Sequence, residues 1–545
     1  MSLTFIDLLI IVVYLIGIGS IGLYVSRGKK TVRKFFTADR SIPTWAVMFT
    51  IMATVISSAT FVGHPGTVFE RGMILLIPHL MLPVLLIGVS IWVVPFYRRI
   101  VKMSAYEFVG ERFGLGGRIY TSFGFLLDRT FDLGVTLLTT AIAIYVLTGW
   151  NPVFVILGLG VFTTLYTMIG GITAVAWTNV VQGIFICISS LIILFRVLFA
   201  PEIGDPGAII ATAWEAGKYT IGNLDFSFAT LFDKGTPTLW IFLIAYMIQW
   251  GRRYVTDQHL VQHYLIAKTD AAASRGAFMG ACALAPIFTI FMFIGASFYG
   301  FFELLPNDPG PAKPDEVMPY FLMNYIPTGL VGLILAAIMA ASMSSISADL
   351  NAVATVLTND YFKTVFKKAT DTAQLLFGRF MVIFGGASAM TIAVLLIPTE
   401  GAAPLMERAI TIATILSAGT LGLFTLGFLT EKATRRGCYI GIVACVLYTV
   451  WALLSNANDE GERIVDFGFN WELNTILIGV GGHIVLFVTG YVTSLIFGGH
   501  RPENVGEYTI YELRRRRKRG EIETVIPLIH EGKKEKEEDN EDSSK

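Results

Sequence analysis

Two stretches of this chain set small hydroxyls beside helix-breaking residues inside apolar sequence, a combination suited to holding a bare cation. In WAVMFTIMATVISSATFVGHPG (45–66), Thr54, Ser57, Ser58 and Thr60 lie among apolar residues and are followed by Gly63 and Pro65. In LAAIMAASMSSISADLNAVATVL (335–357), Ala341, Ser344 and Ser345 fall at i, i+3 and i+4 and share one helical face. Breaking a helix near the middle of a bilayer frees backbone carbonyls without importing a fixed charge. Packed together, the two segments could offer about five neutral oxygens, a donor set for a hard, weakly held monovalent cation such as sodium. The plain structural alternative is that small residues let two helices approach closely.

A second set of residues carries charge. Arg129 lies in LLDRTFDLG (126–134) with Asp128 and Asp132 beside it, and Arg252, Arg253 and Asp257 lie in QWGRRYVTDQHLVQH (249–263). An ionisable residue inside a membrane costs about 2.5–3.5 kcal/mol on insertion scales, so it is either neutralised locally or faces a cavity. An unpaired guanidinium facing a cavity matches a carboxylate, which favours an organic anion as ligand. No metalloprotease motif or paired catalytic carboxylates are present, and GKKT (28–31) lacks the upstream glycine of a phosphate loop, so neither an enzyme nor an ATP-driven pump is expected. Cys187, Cys282, Cys438 and Cys445 have no metal-ligand or redox spacing and are expected to be structural and unpaired.

The elements that position these residues must be membrane helices. Of 545 residues, 54% are hydrophobic and only 15% charged, well below the usual quarter. Lys+Arg and Asp+Glu each total 41, so net charge predicts no nucleic-acid partner. At about 20 apolar residues per crossing, the sequence divides into about thirteen runs. They are 5–25, 43–63, 72–96, 119–148, 153–170, 173–199, 238–262, 274–301, 325–361, 376–397, 404–429, 438–454 and 472–498. Asp7 at the start of the first run and a basic cluster after it suit an anchor rather than a signal peptide.

Charge fixes the direction. With the N-terminus outside, the connections 26–42, 97–118, 362–375 and 430–437 are cytoplasmic and all basic, while those at 200–237, 302–324 and 455–471 carry mainly Asp and Glu. The C-terminus is then cytoplasmic, where RRRRKR (514–519) either attracts anionic lipid or serves as a solvated flank. Residues 532–545 read as a disordered tail, and Glu407 and Arg408 near the start of a span are placed at the outer mouth. About thirteen unequal spans in one chain suit an internally repeated transporter better than a channel. A sodium-permeable channel or a solute sensor is the alternative.

Three stretches carry a resemblance. YTMIGGITAVAWTNVVQG (166–183), apart from Ile172, ASMSSISADLNAVATVLTNDYF (341–362) and GLFTLGFLTEKATRRGCYIG (422–441) are similar, in the same order and at the same separations, to motifs of the sodium:solute symporter family. That family includes bacterial sodium/galactose, sodium/proline and sodium/sialic acid symporters. The resemblance implies an all-α membrane protein with the leucine-transporter-like inverted repeat of five helices plus five, about 43–199 and 238–429. An extra helix and basic loop (1–42) would precede the repeats and an external loop (200–237) would join them. Two further helices (430–499) and a charged tail (500–545) would follow.

Carried over position by position, the resemblance places the sodium ligands at the carbonyls of Ala53, Ile56 and Ala341 and the hydroxyls of Ser344 and Ser345. An aspartate that holds a second sodium in some relatives corresponds here to Asn179, which favours one sodium per solute. The solute pocket departs from the sugar carriers, with Thr60, His79 and Trp250 at pocket positions and Arg253 where a tyrosine gate is usual. The expectation is therefore a plasma-membrane symporter, not an enzyme, that imports a small organic solute by alternating access. Na+ is its coupling ion rather than a catalytic cofactor, and a carboxylate is favoured over a sugar or amino acid as solute. Arg129 joins the solute candidates.

Overall fold

Apolar runs without polar alternation leave the backbone no partner but itself, so they fold as helices. The computed structural model describes residues 3–27, 31–232, 238–305, 308, 310–311, 313–397, 418–457, 461, 463–503 and 505–519. Glu407, Arg408, the acidic residues Asp459, Glu460 and Glu462, and the tail after 519 lie outside the described residues. Among the described residues there is no β-strand, only an isolated bridge between Ile42 and Ala267.

Nine helices among the described residues are long and apolar enough to cross a membrane, and a bent pair makes up a tenth. In chain order the membrane helices begin with α1 (Phe5–Val25), the bent pair α2 (Thr44–Val55) and α3 (Ser58–Arg71), α4 (Leu76–Ile100), α5 (Leu115–Thr148) and α6 (Pro152–Leu198). Then come α7 (Leu239–Thr256), α8 (Gln258–Leu265), α9 (Asp270–Glu303), α10 (Leu330–Val356), α11 (Asp371–Leu395) and α12 (Thr420–Leu429). Last are α13 (Arg435–Ser455), α14 (Leu477–Phe497) and a short terminal helix, α15 (Ile510–Lys518). Length and hydropathy thus identify fewer spans than the sequence suggests, for three physical reasons. The 47 residues of α6 are interrupted at Gly171, α7 carries Arg252 and Arg253 near its end, and only ten residues of the expected 404–429 run are helical among those described.

Gly171 shows why α6 must break. A straight helix of 47 residues would be about 70 Å long, more than twice the apolar thickness of a bilayer. Gly171 takes φ 61° and ψ −159°, and a Cβ there would lie 2.5 Å from the Phe35 carbonyl oxygen, so only glycine suits the position.

Two interruptions set up the interior. Between α2 and α3 the chain is extended at Ile56 (φ −84°, ψ 106°) and Ser57 (φ −98°, ψ 172°), and the helices bend by 60°. Between α7 and α8 it is extended at Asp257 (φ −80°, ψ 121°). The helix that faces both breaks is α10. Its most apolar window is 89% buried, against 22% for α1, which places α10 at the centre and α1 at the rim. The two are tied together, because Asp7 Oδ1 accepts the amides of Gly329 and Gly332 at 2.8 Å each. These are orphan donors at the start of α10, and a carboxylate satisfies them well.

Candidate functional site

The break after α2 leaves its final carbonyls without helical donors. Ile56 N–H closes the last turn on the Met52 carbonyl at 3.3 Å, and the following carbonyls accept from α10 instead. Ser344 Oγ donates to the Ala53 carbonyl at 2.8 Å and Ser345 Oγ to the Thr54 carbonyl at 3.0 Å. Both hydroxyls also lie within hydrogen-bond reach of the Ala341 carbonyl, at 3.1 and 3.3 Å. Ala53, Ala341, Ser344 and Ser345 therefore meet, in a buried place built wholly from neutral oxygens. Ile56 is buried at the break next to them, and the carbonyl that receives Ser345 belongs to Thr54, which the sequence reading did not assign.

Thr54 has a second contact set through its side chain. Its Oγ1 accepts from Asn179 Nδ2 at 3.0 Å and lies 3.5 Å from His263 Nε2, while Asn179 Nδ2 also reaches Thr50 Oγ1 at 3.3 Å. An amide therefore occupies the position where a carboxylate would add negative charge beside the cage, and its Oδ1 is buried without a hydrogen bond.

The solute candidates divide into two groups. In one group, His79 lies against Phe288 (ring centroids 4.2 Å apart), Tyr246 (5.6 Å) and Trp250 (5.8 Å). His79 Nδ1 is 2.7 Å from the Leu75 carbonyl, so it carries the proton, and Nε2 is left to accept from His64 Nε2 at 3.4 Å. His64 was not picked out from the sequence, since its partner lies on another helix. Trp250 Nε1 is buried without a hydrogen bond, and Arg253 packs its guanidinium 5.9 Å from the Trp250 ring. Arg253 makes no ion pair within 4 Å among the described residues, and its Nε is buried without a hydrogen bond. Thr60 is buried in the first turns of α3.

Arg129 sits elsewhere. Its guanidinium meets Asp128 at 2.8 Å, Asp132 at 2.9 Å and Asp349 at 3.8 Å, and Arg252 meets Asp128 and Asp257 at 3.2 Å each. Of the two readings open for the sequence, local neutralisation is the one these distances describe for Arg129 and Arg252. Arg253, one residue on, is the arginine with its charge directed to the aromatic group. The four cysteines are all unpaired.

Comparison with known proteins supplies the context. The model of the sodium:solute symporter family matches residues 35–444. The sodium/sialic acid symporter NanT of Aliivibrio fischeri is 27% identical over 492 residues, covering 89% of this chain and 92% of the relative. Human sodium-coupled monocarboxylate transporter 1 is 26% identical over 443 residues, covering 79% of this chain and 70% of the relative. A solved Na+-coupled sialic acid symporter, substrate-bound and outward-open, superposes with a TM-score of 0.81 at 24% identity over 91% of this chain and 99% of that one, which establishes the shared fold.

Proposed function

The chain belongs to the sodium:solute symporter family, and on that premise we propose that it couples the entry of Na+ to import of a small organic anion whose carboxylate is received by Arg253. It is an integral membrane protein whose transported ligands are sodium and a small solute. The observation that carries the choice of solute is Arg253 itself, a guanidinium with no carboxylate within 4 Å among the described residues, packed on Trp250, which adjoins His79 and Phe288. Leaving such a group desolvated and unpaired is costly, and a bidentate carboxylate would offset the cost. The aromatic rings would take the apolar or ring portion of the same solute. Relatives named for sialic acid and for monocarboxylates carry acids, in keeping with this reading.

Sodium is assigned to Ala53, Ile56, Ala341, Ser344 and Ser345, with the Thr54 carbonyl as an added candidate. The donor set fits, because hard neutral oxygens from a helix end and two hydroxyls suit Na+ and hold it loosely enough for release. With sodium and solute bound, the repeat halves rock and open to the cytoplasm, driven by the sodium gradient. The basic loops support an N-terminus outside and a cytoplasmic C-terminus, and the membrane is taken to be the plasma membrane.

The test is accumulation in proteoliposomes under an imposed sodium gradient. A symporter concentrates a carboxylate above its external level only when sodium is supplied, whereas a channel on the same fold equilibrates it. A thermal-shift screen of carboxylates, sugars and amino acids with and without sodium selects the solute, since a bound ligand raises apparent stability by mass action. Stabilisation by sugars alone would overturn the anion assignment.

A further inference from the structure

One buried polar group is used neither by the sodium cage nor by the aromatic pocket. Asp257, at the α7–α8 break, His259, in the first turn of α8, and Asp349, on α10, face one another with each residue 4% exposed or less. His259 Nδ1 lies 3.9 Å from Asp257 Oδ2 and 3.9 Å from Asp349 Oδ1. All three of these atoms are buried and without a hydrogen bond. The imidazole thus points between two carboxylate oxygens, just beyond hydrogen-bond distance of either.

The surrounding charges do not balance. Among the described residues, Asp128, Asp257 and Asp349 form ion pairs within 4 Å with two guanidiniums, those of Arg129 and Arg252. Asp128 Oδ2 takes both guanidiniums, Asp257 Oδ1 takes Arg252, and Asp349 has only the distant Arg129 contact at 3.8 Å. Asp132 adds a fourth carboxylate through its pair with Arg129 at 2.9 Å, and Arg253 adds a third guanidinium whose charge also acts on Asp128, Asp257 and Asp349, so the acids still outnumber the arginines by one. The remaining titratable neighbours are His263 on α8, His483 on α14, and Tyr97, Tyr106 and Tyr264 around Asp257. Tyrosines ionise only near pH 10, so they supply no compensating charge. One uncompensated negative charge is left where unpaired charges are least tolerated.

We propose that Asp257, His259 and Asp349 form a proton-binding site, distinct from the sodium cage, that this symporter loads and empties as sodium leaves and enters. A proton is the cation that fits. Among the described residues no three acidic, His or Cys groups converge closely enough to hold a metal ion, whereas a proton needs only the short closure that turns a 3.9 Å separation into a hydrogen bond. Bound there, on Asp257 Oδ2 or Asp349 Oδ1, it removes the excess charge and makes a neutral carboxyl that donates to His259 Nδ1.

The link to sodium is structural. Asp349 follows Ser345 by one turn of α10, about 6 Å along the helix axis. His263 joins the same two places from the other side. Its Nδ1 is 2.6 Å from the His259 carbonyl, and its Nε2 lies beside Thr54. Two cations so close disfavour each other, and linkage makes the effect mutual: sodium weakens the proton and the proton weakens sodium to the same factor.

The sodium half of this proposal rests on the proposed function, while the proton half stands on the geometry alone, and the experiment separates them. Infrared difference spectra of the full-length protein in detergent, between about pH 5 and about pH 8, should show the carbonyl stretch of a neutral carboxylic acid at the acid end. That band should vanish in Asp349→Asn or in Asp257→Asn. A spectrum whose acid band survives in both variants, or that has none in the native protein, overturns the proton site. In proteoliposomes, half-activation by sodium should rise several-fold from about pH 8 to about pH 6 and lose that dependence in Asp349→Asn. Sodium-driven uptake with a pH-invariant half-activation overturns the antagonism. Uptake that ignores sodium at every pH overturns the symport reading instead, and the infrared result still decides the proton site.

Discussion

Asp7 Oδ1 accepts the Gly332 amide at 2.8 Å, so a residue in the first, peripheral helix caps the most buried of the long apolar spans among the described residues. The contact is tight, since a Cβ on Gly332 would lie 2.5 Å from Asp7 Cα. Replacing Asp7 by Ala strands the Gly329 and Gly332 amides and should cost about 1–3 kcal/mol, while Asp7→Asn, which keeps an acceptor, should cost less. Thermal unfolding of the purified protein in detergent measures both, and equal midpoints for native and Asp7→Ala protein would rule out the cap as a stabilising feature.

At the α2–α10 interface, Ser345→Ala removes an oxygen that faces the Thr54 and Ala341 carbonyls. Losing one ligand of a neutral cage, worth about 1–2 kcal/mol, should raise the sodium concentration for half-activation roughly 5–30-fold, with solute recognition kept at saturating sodium. Uptake measured against sodium concentration decides it. An unchanged curve would remove Ser345 from the ion site.

Solute charge is tested at Arg253. Arg253→Gln keeps a hydrogen-bonding side chain but not the positive fork, and loss of a charge-assisted contact worth about 1.5–3 kcal/mol should weaken an anionic solute by roughly 10–150-fold. A neutral amide or ester analogue should be handled about equally by both proteins. Equal loss of the two solutes would mark Arg253 as structural, through its packing on Trp250.

Asn179→Asp places a carboxylate between Thr50 and Thr54, where an amide now donates to both hydroxyls. The added charge lies beside the proposed sodium cage, so sodium should bind more tightly and its activation curve should steepen beyond a single-site shape. Steepness unchanged from the native protein, with the variant folded and active, would argue against a latent second site.

How much of this was legible in the sequence depends on how far apart the interacting residues lie. The hydroxyl pair at 344 and 345 and the broken segment after residue 55 announce themselves locally, through i, i+3, i+4 spacing and through hydroxyls and breakers set in apolar sequence. Family likeness then linked two segments nearly three hundred residues apart. It pointed to the carbonyls of Ala53 and Ile56, and the fold adds that of Thr54, which meets Ser345, a contact set by packing rather than by composition. Arg129 could be paired with Asp128 and Asp132 by proximity in the chain, but Asp349 could not, since only the fold brings α10 to α5. His64 and His79 illustrate the same limit, for two histidines on separate helices carry no mark that they will touch.

The carbonyls of Ala53 and Thr54 already have suitors, namely the hydroxyl hydrogens of Ser344 and Ser345. On the proposed sodium assignment, an arriving alkali ion would have to turn those hydrogens away before claiming the oxygens, so its affinity would be a difference between two comparable embraces. Such a carrier needs no separate device to let go of its cargo. The protein's own hydroxyls reclaim the vacated acceptors, and the returning carrier keeps its seam closed.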